Sequence, residues 1–149
     1  MSIADHGMMF KDLAEMPLFR YVAPESVDGV LERCSILDLH KNEVLIRQGD
    51  DNRSLFVVLS GELNVRFDSP DNDTFTVLGP GETIGEMSLI DQKGTSAYVV
   101  AACDSRLLVF DEDSIWSLVR SSHAAACNLL NIITARLRNI NSALRTNAP

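Results

Sequence analysis

The sequence is short of positive charge: 13 Lys and Arg side chains stand against 21 Asp and Glu in 149 residues, for a net charge of −8. Nonspecific affinity for nucleic acid comes mainly from cations that displace counterions from phosphates, so no direct DNA or RNA binding is expected. Long hydrophobic runs are also missing. The longest uninterrupted apolar stretch is Ala97–Cys103, far below the roughly 20 residues needed to cross a bilayer, and no membrane span is expected. Met1-Ser2-Ile3-Ala4-Asp5-His6 has no basic region followed by an apolar one, so it does not read as a secretory leader. A cytoplasmic protein is expected, and the glycosylation patterns Asn52-Arg53-Ser54 and Asn72-Asp73-Thr74 therefore carry no weight.

Cysteine is scarce as well. Cys34, Cys103 and Cys127 are odd in number and widely spaced beside apolar neighbours, which reads as reduced core thiols and not as a disulfide framework. His6, His40 and His123 are scattered, no two at metal-ligand spacing, and no Ser or Cys lies in a nucleophile elbow. No metal, no cofactor, no catalytic residue and no enzymatic activity are expected. The chain does have 46% hydrophobic and 23% charged residues, which excludes a disordered tail or a collagen-like repeat. Its length suits one compact domain.

The texture changes twice along the chain. Residues 1–34 read as a helical segment. Met9, Leu13 and Met16 have helical spacing that Pro17 should end. Pro24-Glu25 then opens a helix with Val27, Val30 and Leu31 on one face, ending near Cys34. Residues 35–110 read as a β-barrel of short runs broken by Gly, Pro, Asn and Asp. Strands are predicted near Ser35–Leu39, Val44–Ile46, Ser54–Leu59, Glu62–Asp68, Thr74–Leu78, Ser96–Ala101 and Arg106–Phe110. Ser60-Gly61 makes a tight hairpin. Residues 111–149 read as helical again: Asp111 or Asp113 can cap a helix through Ile115, Trp116, Leu118 and Val119, and a long one follows from Ala126.

On that last helix Leu130, Ile133, Leu137, Ile140 and Leu144 recur in alternating steps of three and four, the spacing of a coiled-coil seam. The helix can lie on its own barrel, or the seam can join two copies as a homodimer. Leu129 and Ile132 widen the apolar face enough for both.

The most specific feature is Gly79-Pro80-Gly81-Glu82-Thr83-Ile84-Gly85-Glu86-Met87-Ser88-Leu89-Ile90, followed by Thr95-Ser96-Ala97-Tyr98-Val99. It is not a dinucleotide fingerprint, since position 84 is Ile and no strand–helix alternation flanks it. Together with Gln48-Gly49-Asp50 and Ser54-Leu55-Phe56-Val57-Val58-Leu59-Ser60-Gly61-Glu62-Leu63, it resembles the cyclic nucleotide-binding domain family, of the catabolite-activator and kinase regulatory-subunit type. The resemblance covers roughly residues 17–137. It implies a mainly β fold with flanking α-helices: a double-stranded β-helix, or jelly-roll, barrel with N-terminal helices and a long C-terminal helix.

It also implies a ligand site made by Gly85, Glu86, Met87, Ser88, Thr95, Ser96 and Ala97, with cyclic AMP, cyclic GMP or cyclic di-GMP as the ligand. Backbone N–H groups after Gly85 would face the phosphate, and Gly85 would let it approach closely. Glu86 fits the family's glutamate, which accepts a hydrogen bond from the ribose 2′-hydroxyl. In a ligand-free protein it would instead hold the local turn through backbone N–H groups. Ser88 and Leu89 continue the turn, and Ser96 and Ala97 fit the small residues after the family's phosphate-binding arginine.

That arginine is missing: Thr95 stands in its place. A hydroxyl cannot replace a bidentate, permanently charged guanidinium, whose hydrogen bonds contribute about 1.5–3 kcal/mol each. Nucleotide binding is therefore expected to be weak or atypical. Lys93 reads as an exposed loop lysine. Residues 114–149 carry four arginines and no acid, hence +4, which leaves −12 on residues 1–113. Arg136 and Arg138 read as solvated, the alternative being that one of them offers an anionic ligand the charge that Thr95 lacks.

The function expected is a ligand-sensing regulatory domain that signals through its C-terminal helix to a second copy, or to an effector domain or subunit such as a diguanylate cyclase. A ligand-free dimerisation or docking module is the alternative. The chain reads as a separate subunit or as a fragment whose effector followed the helix, with the fragment slightly favoured.

Overall fold

The structure, a computed structural model, describes residues 13–146. The helix-like spacing at Met9 lies outside them. Leu13 is fully buried, and a 3-10 turn at Pro17–Phe19 follows. Helix α1 (Pro24–Leu31) starts on a proline whose fixed φ suits the first helical position. It stops before Cys34, whose N–H returns to Leu31 O in a turn.

Eight strands come next: β1 (Ser35–Leu39), β2 (Val44–Ile46), β3 (Ser54–Ser60), β4 (Leu63–Arg66), β5 (Thr76–Leu78), β6 (Thr83–Ile84), β7 (Tyr98–Ala101) and β8 (Ser105–Asp111). They pair into two antiparallel four-stranded sheets, β1-β8-β3-β6 and β2-β7-β4-β5. Helix α2 (Glu86–Asp91) interrupts the strands between β6 and β7, and α3 (Glu112–Ser121) and α4 (His123–Thr146) close the chain. The jelly-roll barrel with helices at both ends is thus the architecture.

The sheet order explains the continuous apolar runs in β3 and β8. Leu55, Val57, Leu108 and Phe110 face the helices, packing with Phe19, Val27, Ile115, Leu118 and Ala125. Phe56, Val58 and Leu107 face the barrel interior with Ile46, Leu63, Leu78 and Val99. Strands buried on both faces lose the polar alternation of a half-exposed strand.

Several element bounds move for local reasons. The predicted strands Glu62–Asp68 and Thr74–Leu78 shorten to β4 and β5 because the connection curls. Arg66 donates to Pro70 O and Thr74 Oγ1, and Asn72 Nδ2 to Phe67 O. Ser96–Ala101 shortens to β7 because Thr95 bonds out of the sheet, to the 47–50 turn. Strand β6, with two residues, is too short to show a period and was not predicted. The final helix begins at His123 and not Ala126, since Ser122 Oγ accepts from Ala125 N–H at 3.1 Å. Cys34 is a core thiol that burial pushes up to a pKa of about 11. Cys103 corrects the expectation: it is exposed, and Cys127 is only half-buried.

Of the two aspartates that can cap α3, Asp111 does so: its Oδ1 accepts from Ser114 N–H at 2.7 Å. That bond holds the Asp111 carboxyl below the usual carboxylate range. Its contribution is present above the ordinary aspartate pKa of about 4 and is lost as pH falls through the lowered folded value. Asp111→Ala is therefore expected to cost about 1 kcal/mol in urea unfolding at neutral pH, with the gap from the parent protein closing in strong acid.

Candidate functional site

The segment from Gly79 to Ala101 folds as strand, turn, short helix and return strand, and the turn into the helix depends on backbone that side chains resist. Gly85 has φ +95°, and a Cβ there would sit 2.6 Å from Ser54 O and 2.7 Å from Asn52 Nδ2. The glycine is thus required by the protein's own β3 edge, where the sequence had assigned it to ligand approach. Gly85 turns the chain so that Glu86, the first residue of α2, points inward. Glu86 is 2% exposed.

A cleft of about 90 Å³ opens over it. All seven residues expected to form a ligand site line it: Gly85, Glu86, Met87, Ser88, Thr95, Ser96 and Ala97. They differ in what they present. Ser88 and Ala97 are buried, while Met87 is half exposed and its sulfur lies 3.9 Å from Ser96 Oγ. Thr95 is not free for a ligand. Its hydroxyl donates to Arg47 O at 2.6 Å and accepts from Asp50 N–H at 3.1 Å, so it staples the 47–50 turn to the strand entry. Lys93 is exposed, as expected, and does not line the cleft.

The cation in the cleft comes from α4. Arg136 Nη1 bonds Glu86 Oε1, and Nη2 bonds Thr83 O and, at 3.4 Å, Thr83 Oγ1. Reading Arg136 as a solvated surface residue is therefore corrected: its side chain is 28% exposed and spans the cleft. A carboxylate as deeply buried as Glu86 needs a charged partner, since an isolated buried charge is prohibitively costly. Nor does Glu86 hold the turn through backbone N–H groups, the role considered for a ligand-free protein. Its Oε2 remains buried with no hydrogen-bond partner among the described residues.

Helix α4 meets the rest of the molecule unevenly. Asn128 Nδ2 donates to Leu18 O and Arg20 O, both at 2.8 Å, and Ala125, Asn128 and Leu129 are buried. Beyond Leu129 none of the described α4 residues is buried. There a groove of about 400 Å³ separates the helix from the Pro17–Tyr21 turn and from Gly81–Thr83, with Arg136 reaching across. Of the predicted seam, Leu130, Leu137, Ile140 and Leu144 are exposed, and Ile133 is half-buried.

Among the described residues no group of three His, Cys, Asp or Glu can hold a metal ion, and no helix is long and apolar enough to cross a membrane.

Comparison with known proteins decides the family. The family model described as "Cyclic nucleotide-binding domain" matches residues 36–122. The chain belongs to the cyclic nucleotide-binding domain family. It is 35% identical over 124 residues to the cyclic AMP receptor protein of Thermus thermophilus, covering 82% of this chain and 57% of that protein. The crystal structure of the Thermus thermophilus catabolite activator protein superposes with a TM-score of 0.74 at 34% identity, over 87% of this chain and 62% of that one. A cyclic nucleotide-binding domain from Methylobacillus flagellatus gives 0.78 at 27% identity, over 93% of this chain and 82% of that one. The chain thus spans about three fifths of the curated receptor and regulator proteins it matches first.

Sequence reasoning missed the Arg136–Glu86 contact because the partners are 50 residues apart on different elements. The only signal was the acid-free C-terminal segment with its few arginines.

Two outcomes test the pair and its turn. Arg136→Met is expected to cost about 3 kcal/mol in urea unfolding by stranding Glu86, and adding Glu86→Gln to recover most of that loss. Gly85→Ala is expected to cost roughly 1–3 kcal/mol, because the added methyl meets the β3 backbone from a left-handed φ.

Proposed function

We propose that this domain is a sensor of a cyclic nucleotide, with no enzymatic activity of its own, and that it signals by repositioning α4. The observation that carries the reading is the direct bond from the cleft to the helix: Arg136 on α4 holds Glu86 and Thr83 at the cleft floor. Any ligand that enters beside Glu86 also meets α4. At about 90 Å³ the cleft is below the ~300 Å³ at which small-molecule sites begin, so entry requires it to widen. The groove behind Arg136 gives the helix room to move. A ligand with 10–100-fold preference for one helix position supplies about 1.4–2.7 kcal/mol of bias, enough for a switch.

The signal passes to a second copy or to an effector. Leu130, Leu137 and Leu144 lie seven residues apart along α4, exposed on one face, which suits a parallel or antiparallel helix pair in a homodimer. The relatives include proteins named as a cyclic AMP receptor and as cyclic AMP-activated transcriptional regulators, which supports a regulatory role. A diguanylate cyclase remains one effector of the kind this domain would drive. The same exposed stripe also favours a second reading, a ligand-free docking module with Arg136 as a permanent plug.

Titration calorimetry with cyclic AMP, cyclic GMP and cyclic di-GMP separates them: the sensor is expected to bind at least one, the module none. In sedimentation velocity the parent protein is expected to run as a dimer and Leu137→Asp/Ile140→Asp as a monomer. An unchanged mass for the variant removes the seam as an interface.

A further inference from the structure

We infer that Arg136 is the phosphate-reading guanidinium of this cleft, and that it recognises the ligand while keeping its bond to Glu86. The inference rests on the cyclic nucleotide reading above and adds to it the residue that makes the ligand's charge tolerable.

A cyclic nucleotide carries one negative charge into a partly dehydrated cleft, where an anion needs a charged donor. Arg136 supplies the single cationic side chain among the residues that line this cleft. The position where the family's arginine belongs is Thr95, whose hydroxyl is already committed on both sides. Lys93 lies outside the cleft, with its backbone N–H tied to Asp91 Oδ1.

The donors and acceptors fit a ligand that carries a hydroxyl beside a phosphate. A guanidinium has five N–H groups. Glu86 Oε1, Thr83 O and Thr83 Oγ1 take three of them, which leaves Nε–H and the second Nη1 hydrogen without a partner among the described residues. Glu86 in turn has one oxygen occupied by Arg136 and the other, Oε2, buried and open. The ribose 2′-hydroxyl, adjacent to the cyclic phosphate in the nucleotide, can donate to Oε2 while the phosphate accepts from one of the two open N–H groups of Arg136. Neither step breaks the buried ion pair, whose loss would strand Glu86. A ligand that had to displace Arg136 would meet that cost in full.

Delivery from α4 sets this arrangement apart from a phosphate-binding arginine fixed to the barrel. Beyond Leu129 the helix has no buried residue among those described, and Arg136 makes its only side-chain hydrogen bonds to the barrel among the described residues of that stretch. Phosphate recognition and helix position thereby become one event. A long, flexible arginine stem lets the helix shift outward while the guanidinium stays on Glu86.

The test is titration calorimetry of the parent protein, Arg136→Gln, Arg136→Lys, Thr95→Arg and Thr95→Arg/Arg136→Gln with cyclic AMP, cyclic GMP and uncharged adenosine, each variant first checked by thermal melting. Arg136→Gln is expected to weaken cyclic nucleotide binding by about 10-fold or more while leaving adenosine binding nearly unchanged. Arg136→Lys, which keeps a charge on Glu86 but loses the planar fork, is expected to fall between and serves as the readout if Arg136→Gln does not fold. Thr95→Arg/Arg136→Gln is expected to regain affinity. Unchanged or tighter binding by Arg136→Gln, or equal losses for cyclic nucleotide and adenosine, overturns the role of Arg136 and leaves the sensor reading standing. Binding by Thr95→Arg alone, with none by the parent, also overturns that role. Absence of cyclic nucleotide binding in every protein, Thr95→Arg included, removes the sensor reading itself.

Discussion

A carboxylate buried to 2% exposure is the constraint on which this molecule turns. Glu86 is driven inward by the left-handed Gly85 ahead of it and by Leu89, which anchors α2 in the core three residues later. Once there, its charge has to be met from within the protein. The other residues lining the cleft include no cation, and the partner is Arg136 on α4, a helix whose C-terminal half has no buried residue among those described. The buried carboxylate of the barrel thus ties the C-terminal half of α4 to the cleft.

The rest of the fold divides into a doubly packed sheet and a helix buried only at its start. Strands β3 and β8 lie at the centre of one sheet and contribute side chains to two cores, Leu55 and Phe110 toward the helices and Phe56 and Leu107 toward the barrel interior. A displacement of either strand would disturb both packings at once, and close-packed interiors resist such changes. The start of α4 is buried at Ala125, Asn128 and Leu129, and Asn128 also fastens the Pro17–Arg20 turn through two carbonyls. The rest of the helix stands over a groove with one polar attachment. Of that part, Ile132 still packs against the helix-side core.

Thr95 has a structural task in this fold. Its hydroxyl ties Arg47 O and Asp50 N–H to the entry of the return strand. Gly94 packs beneath the same turn, so closely that a Cβ would lie 2.8 Å from Gly49 O. Thr95 and Gly94 together hold this turn against the strand entry. The positive charge of the cleft sits on Arg136 of α4.

Much of this was legible in the sequence because it rests on short-range rules. The Ser60-Gly61 turn, proline at 17 and 24, a capping aspartate at 111 or 113 and the apolar runs of β3 and β8 each follow from local sterics, capping or alternation, and they mark the helix–barrel–helix order. The motif from Gly79 to Ala97 brought its seven expected residues to one cleft. Illegible were the two-residue strand β6, the commitment of the Thr95 hydroxyl and the exposure of Cys103, which depend on what lies across from them. Above all, the sequence by itself placed Glu86 right after Gly85 in the candidate site segment and made the C-terminal helix basic. Only the tertiary structure decided that these two facts are one interaction, because a chain pattern carries periodicity and charge but not the distance between residues 50 positions apart, and it is that distance which turns two charges into a pair.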